Sequence, residues 1–187
     1  MAGRLKVSGR REFIREFVAI SSTCLTSFTI PGWALANLVA TPSQNEGPFY
    51  PIQKPPDQDA DLTFVGNRLK RAKGTPLMVQ GKVLKSNGSP VNRALVEIWQ
   101  ANAWGRYQDH RDSSNLPWDP NFQGFGQVVT GVEGSYAFRT IKPAGYGQGN
   151  FRRPPHIHFR ISGLNFERFT TQMYFAGETE NANDGPL

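Results

Sequence analysis

The stretch PLMVQGKVLKSNGSPVNRALVEIWQ, residues 76–100, decides the fold. Its first part alternates: Leu77, Val79, Gly81 and Val83 fall on one side of an extended chain, and Met78, Gln80, Lys82 and Leu84 on the other. Successive side chains of a strand point to opposite faces, so a period of two marks a strand. Asn87-Gly88 then marks a tight turn. Residues 94–100 form a second strand, with Val96 and Ile98 on one face and Leu95, Glu97 and Trp99 on the other.

The same signals continue downstream. Residues 126–130 read as a short strand, Glu133-Gly134 as a turn, and residues 135–140 as a strand with Tyr136 and Phe138 on one face. Residues 156–162 and 169–175 complete the set. Between the strands lie a polar, aromatic loop at 101–125 and a Gly/Pro loop at 142–155. Upstream, residues 41–76 are rich in Pro, Asn, Gln and Asp and have no period. No helical pattern follows residue 36. Short strands bounded by turn signals make an all-β fold, an antiparallel β-sandwich. Two long loops in a compact domain are usually functional.

Composition agrees. The 187 residues suffice for one domain with a sizeable core, and 19 Gly with 14 Pro suit a turn-rich β protein. The net charge of +6 is shared between the first 36 residues and the rest, and no Lys/Arg cluster is interleaved with aromatics, which argues against nucleic-acid binding. The first 36 residues read as a signal peptide. Arg10-Arg11 is a twin-arginine pair, a mildly apolar run ends at Pro31, and Ala34-Leu35-Ala36 supplies small residues for cleavage. The expected layout is therefore a twin-arginine signal at 1–36, an arm or loop at 37–75 and a β-sandwich domain at 76–187. The expected destination is the periplasm or exterior, with no membrane contact once the signal is removed. The only cysteine, Cys24, lies in the signal, so the mature chain has neither disulfide nor thiolate ligand.

The chemistry centres on RRPPHIHFRISG, residues 152–163. Alternation puts Ile157, Phe159 and Ile161 on one face and His156, His158 and Arg160 on the other. Two imidazoles at i and i+2 can converge on one ion; the bland alternative is a strand with one wet face. His110, in the polar loop, is the remaining histidine. Without cysteine, further ligands have to be oxygen donors. Glu97 and Glu133 are candidates, and so are the tyrosines of Gly105-Arg106-Tyr107 and Gly145-Tyr146-Gly147. Phenolate is a hard donor and suits a small, highly charged ion such as ferric iron. A buried aromatic with a satisfied hydroxyl is the alternative for each tyrosine. The residues by themselves lead to a two-histidine, oxygen-rich site.

Six blocks in order carry a resemblance: TPSQNEGPFYP (41–51), GSPVNRALVEIWQANAWGRY (88–107), DPNFQGFG (119–126), GSYAFRTIKP (134–143), RPPHIHF (153–159) and TTQMYF (170–175). In them the chain resembles the intradiol ring-cleavage dioxygenases, the ferric enzymes that act on protocatechuate and catechol. The resemblance implies non-haem Fe(III) held by Tyr107, Tyr146, His156 and His158, with Tyr146 leaving as substrate binds. It implies a catechol-type substrate and O2, with the ring opened between the two hydroxylated carbons to a muconate-type diacid. Arg153 would stabilise charge on the ring, Gln172 would join the catalytic group, and Pro48 and Tyr50 would line the pocket. The stretch 147–155 is shorter than in the protocatechuate enzyme, with Gln148 where an aromatic is expected, and this bears on substrate size. The family pattern also leads to the expectation of one more segment past Leu187, and the sequence leaves room for an oligomer. The rival reading is an exported, non-catalytic binding module, because the strand pattern also matches prealbumin-like sandwiches.

Overall fold

The computed structural model describes residues 38–148, 151–164 and 166–184, and the signal read at 1–36 lies outside them. Eight strands follow in chain order: β1 (Pro76–Lys82), β2 (Leu95–Trp99), β3 (Phe125–Val129), β4 (Ser135–Ile141), β5 (Tyr146–Gln148), β6 (Phe151–Arg153), β7 (His156–Gly163) and β8 (Phe166–Tyr174). A single 3-10 turn, Thr179–Asn183, is the helical element among the described residues. All five strand pairings are antiparallel.

The strands form a four-stranded sheet in the order β3-β2-β7-β8, a two-stranded sheet of β1 and β4, and the small hairpin β5-β6. The turn at Asn87-Gly88 closes only Leu84 against Pro90, and the chain then crosses to the other sheet. Val79 and Phe138 from the β1-β4 pair meet Val96, Ile98, Ile157 and Phe159 from the larger sheet in one buried core. Each such fully buried aliphatic or aromatic side chain contributes about 1.5–3 kcal/mol. Leu62 from the arm completes this core; its amide donates to the Arg139 carbonyl at 2.8 Å, so the arm runs beside β4.

One alternative falls and one expectation needs correction. The face of β7 that carries His156, His158 and Arg160 is not wet: these residues are 2%, 2% and 7% exposed. The cause is the arm, which is tied down across that face. The Gln44 amide donates to the Thr170 carbonyl at 2.9 Å, the Gln172 amide donates to Gln44 Oε1 at 2.9 Å, and Lys54 pairs with buried Glu97. The Gly/Pro stretch at 142–155, expected as loop, holds the β5-β6 hairpin, whose register sets Tyr146 directly opposite Arg153. Pro143, Pro154 and Pro155 lie just outside the strands, where their missing N–H groups cost no ladder bond.

Candidate functional site

The outer face of the larger sheet is a grid of paired side chains. His156 stands opposite Tyr174; His158 stands between Trp99 and Gln172; Arg160 stands between Glu97 and Thr170. Alternation along β7 aims both imidazoles at one side, where the 101–125 loop delivers Tyr107. A tight turn prepares that delivery. The Asn102 side chain accepts from the amides of Trp104 and Arg106, and the Tyr107 amide donates to Asp112 at 2.7 Å. The Asn102 carbonyl accepts from the Ala144 amide at 3.1 Å, tying the Tyr107 loop to the start of the Tyr146 hairpin. Gly105 permits that contact: a Cβ there would stand 2.6 Å from the Gly145 carbonyl oxygen.

Three donor atoms converge. His156 Nε2 and His158 Nε2 are 3.2 Å apart, and Tyr107 Oη is 3.3 Å from the first and 3.1 Å from the second. Ligands about 2.1 Å from one ion stand about 3.0 Å apart at right angles and about 3.4 Å apart at tetrahedral angles, so this triangle has the spacing of a metal face. The Tyr146 ring packs edge-on to Tyr107 at 5.4 Å and tilts toward His156 at 5.6 Å. Among the described residues no group of three or more His, Cys, Asp or Glu is placed to hold a metal, and the oxygen set beside the histidine pair is the phenolic one of Tyr107.

The electrostatics fit such an ion. Burial, with the nearby charge of Arg153, pushes the His156 pKa down to about 4, and burial with the neighbouring His156 drives His158 well below the usual imidazole range. Both rings are therefore neutral at pH 7 and keep a lone pair. His156 Nδ1 donates to the Pro154 carbonyl at 2.7 Å, which leaves Nε2 as its ligating atom. His158 Nδ1 has no hydrogen-bond partner among the described residues. Packing orients that ring instead: Trp99 stacks on it at 4.8 Å, and Gly47 lies close to its edge. Burial, followed by the influence of Tyr146, holds the Tyr107 pKa well above the usual phenol value, so this hydroxyl ionises only beside a cation.

Arg153 is 7% exposed and fully engaged on one edge. Its Nη2 donates to Gln172 Oε1 at 2.8 Å and to Tyr174 Oη at 2.9 Å, and its Nε and Nη2 donate to the two oxygens of Asp184 at 2.8 Å each. Gln172 Nε2 donates onward to the Asn45 carbonyl at 2.9 Å.

The other expected residues fall at varying distances from the cluster. Pro48 is exposed, while its neighbours Gly47 and Phe49 face the site; the Phe49 ring stacks on Tyr107 at 4.5 Å. Tyr50 sits one row away, donating to Glu97 at 3.0 Å under the Arg160 guanidinium. Glu97 is occupied by Tyr50 and Lys54, Glu133 is on the surface beside Lys82, and the His110 side chain is 88% exposed next to Asp109. Sequence reading missed Trp99, Phe49, Asp112, Tyr174 and Asp184. Trp99 had a signal, since alternation along residues 94–100 already placed it beside Glu97. A groove of about 740 Å³ opens beside the cluster, lined by Phe49, Trp99, Tyr107 and Trp118 but by neither His156 nor His158.

Comparison with known proteins identifies the family. A family model described as Dioxygenase matches residues 45–184. The chain is 44% identical over 141 residues to a protocatechuate 3,4-dioxygenase beta chain from Burkholderia cepacia, covering 73% of this chain and 60% of that one. It is 34% identical over 163 residues to catechol 1,2-dioxygenase 1 from Acinetobacter lwoffii, covering 74% of this chain and 47% of the other. Among solved structures, the dioxygenase domain of a dioxygenase carbohydrate-binding protein fusion from Streptomyces sp. SirexAA-E superposes with a TM-score of 0.61 at 32% identity, over 78% of this chain and 81% of that one. The chain belongs to the intradiol ring-cleavage dioxygenases, the family its six blocks resemble. It spans roughly half to three-fifths of the length of the two curated relatives named above.

Proposed function

We propose that the protein is a non-haem Fe(III) dioxygenase that opens a catechol-type ring between its two hydroxylated carbons. One O2 is consumed per ring, and both oxygen atoms enter a muconate-type diacid. The observation that carries this reading is the convergence of two neutral imidazole nitrogens and a buried phenol oxygen within 3.1–3.3 Å of one another. Ferric iron bound there supplies an electron-withdrawing centre that makes the ring reactive toward O2.

His156 and His158 donate as neutral ligands from a rigid strand. Tyr107 gives up its proton when the cation arrives and stays in place as a phenolate. Tyr146, on the short hairpin, would hold the ion as a second phenolate and, on giving up that place to the incoming catechol, would take one of its hydroxyl protons, acting as general base. Arg153 stabilises the negative charge that develops on the ring, and burial of its guanidinium strengthens that field. Gln172 orients Arg153, and Phe49 helps exclude water. A non-catalytic sandwich has no use for two buried imidazoles facing a buried phenol. Export in the folded state by the twin-arginine route belongs to the same proposal.

The test is direct. Protein loaded with ferric iron is expected to be red from tyrosinate charge transfer and to take up O2 with substituted catechols. A colourless iron-loaded protein, or equal turnover with stoichiometric zinc, contradicts the reading.

A further inference from the structure

Three basic residues in and beside the Tyr146 hairpin meet three acidic residues from the last described segment. Lys142 pairs with Glu178 at 2.6 Å, Arg152 with Glu180 at 3.7 Å, and Arg153 with Asp184 at 2.8 Å. The first two pairs are partly exposed, with side-chain exposures of 44% and 24%, and of 58% and 34%. Exposed pairs contribute little to stability, so they serve mainly to lay the segment along the hairpin. The third differs. The Arg153 and Asp184 side chains are 8% and 3% exposed, and the carboxylate grips Nε and Nη2 side-on. Such a two-point contact fixes the plane of a guanidinium as well as its position. Gln172 and Tyr174 hold the same Nη2, and none of the three partners engages Nη1.

We propose that Asp184 is the positioning residue for Arg153: it sets the guanidinium plane so that the free edge faces the bound catechol. The inference rests on the function proposed above. Tyr146, opposite Arg153 in the hairpin register, shares in the arrangement, because the contact that fixes Arg153 also fixes the strand facing Tyr146. Asp184 touches no member of the His156, His158 and Tyr107 triangle, so its removal leaves iron in place. Its charge also acts on Tyr174 and on His156, so the Arg153→Ala background is what isolates the effect carried by Arg153.

The experiment compares wild type, Asp184→Asn, Asp184→Glu, Arg153→Ala and the Arg153→Ala/Asp184→Asn double variant, all iron-loaded, with Glu180→Gln as control. The readouts are iron content, the visible band, kcat, KM and the ionisation of bound 4-nitrocatechol. Asp184→Asn is expected to keep iron and the visible band, to lose at least 10-fold in kcat with KM changed less than 3-fold, and to make bound 4-nitrocatechol ionise at a pH higher by about one. Asp184→Glu recovers part of the loss. In the Arg153→Ala background Asp184→Asn costs less than 2-fold, and Glu180→Gln matches wild type. Wild-type kcat and nitrocatechol ionisation in Asp184→Asn, or an equal loss in the Arg153→Ala background, overturns the positioning role. If wild type binds 4-nitrocatechol without turnover, the ionisation readout still decides the role of Asp184 while the proposed reaction falls. A wild type that binds no catechol overturns both.

Discussion

His158 lies flat against Trp99, with ring centroids 4.8 Å apart and planes 9° apart. The two residues are direct cross-strand partners on β7 and β2. The contact takes the place of the hydrogen bond that usually orients a metal-binding imidazole, since His158 Nδ1 has no partner among the described residues. The Tyr50 ring meets the same indole edge-on at 5.0 Å, so Tyr50 reaches His158 through one intermediate side chain.

Replacement of Trp99 separates packing from ligand orientation. Trp99→Ala removes a fully buried indole and is expected to cost about 3–5 kcal/mol of stability. Trp99→Phe keeps a ring and is expected to fold, with metal affinity lowered about 10-fold. Chelator competition and thermal unfolding measure the two effects. Wild-type metal affinity in Trp99→Phe speaks against the stacking role.

Gly47 tests the arm. Its φ is +72°, and a Cβ would stand 3.2 Å from His158 Cε1. Gly177 has φ +85° with open space around it, so it carries the same backbone strain without the contact. Both Gly→Ala variants are expected to lose about 1 kcal/mol from the left-handed backbone. Only Gly47→Ala is expected to weaken metal retention as well. Equal metal content in the two variants removes the arm from the ligand-orienting shell.

Glu97 holds the arm from below by accepting from Tyr50 and pairing with Lys54. Lys54 is 34% exposed and can return to water, so Glu97→Ala is expected to cost about 1–3 kcal/mol rather than the full cost of a broken buried pair. Its clearer mark is early proteolytic cutting within residues 44–54. An arm as resistant as in wild type contradicts this anchoring.

Acid is expected to weaken the metal-free protein. Burial and the nearby Arg153 push the His156 pKa down to about 4 in the folded state, below the unfolded value, and His158 moves the same way. The unfolded chain therefore binds more protons below about pH 6.5, so this contribution is complete above that pH and is lost as pH falls toward 4. A histidine pKa that falls by one on folding corresponds to about 1.4 kcal/mol of stability lost in acid. Denaturant midpoints of chelator-treated protein at pH 7.5 and 5 measure it, with a shallower slope expected for His156→Gln. Identical midpoints at the two pH values exclude it.

The strands were legible because alternation is a local property: Val79, Val96 and Ile98 announce the core, and the HIH spacing announces two side chains on one face. The burial of that face was not legible. It depends on residues 42–54 lying across β7 and β8, a contact between segments more than 100 positions apart with no periodic signature. The β5-β6 hairpin was hidden for a different reason, since three-residue strands among Gly and Pro are too short to show a period. Asp184 carried no signal at all; its role arises only when the last described turn folds back onto Arg153. The family blocks located Tyr107 and Tyr146, which composition and spacing left among several oxygen donors.

Oxygen-isotope analysis of the product decides whether both atoms of O2 enter the opened ring. Protein loaded with ferric iron is given catechol under 18O2, and the acyclic product is analysed by mass. The expected product is a muconate-type diacid carrying both labelled atoms, with one O2 consumed per ring and no such product from Tyr107→Phe. Unlabelled product, a ring opened beside rather than between the hydroxylated carbons, or full activity in Tyr107→Phe would contradict it.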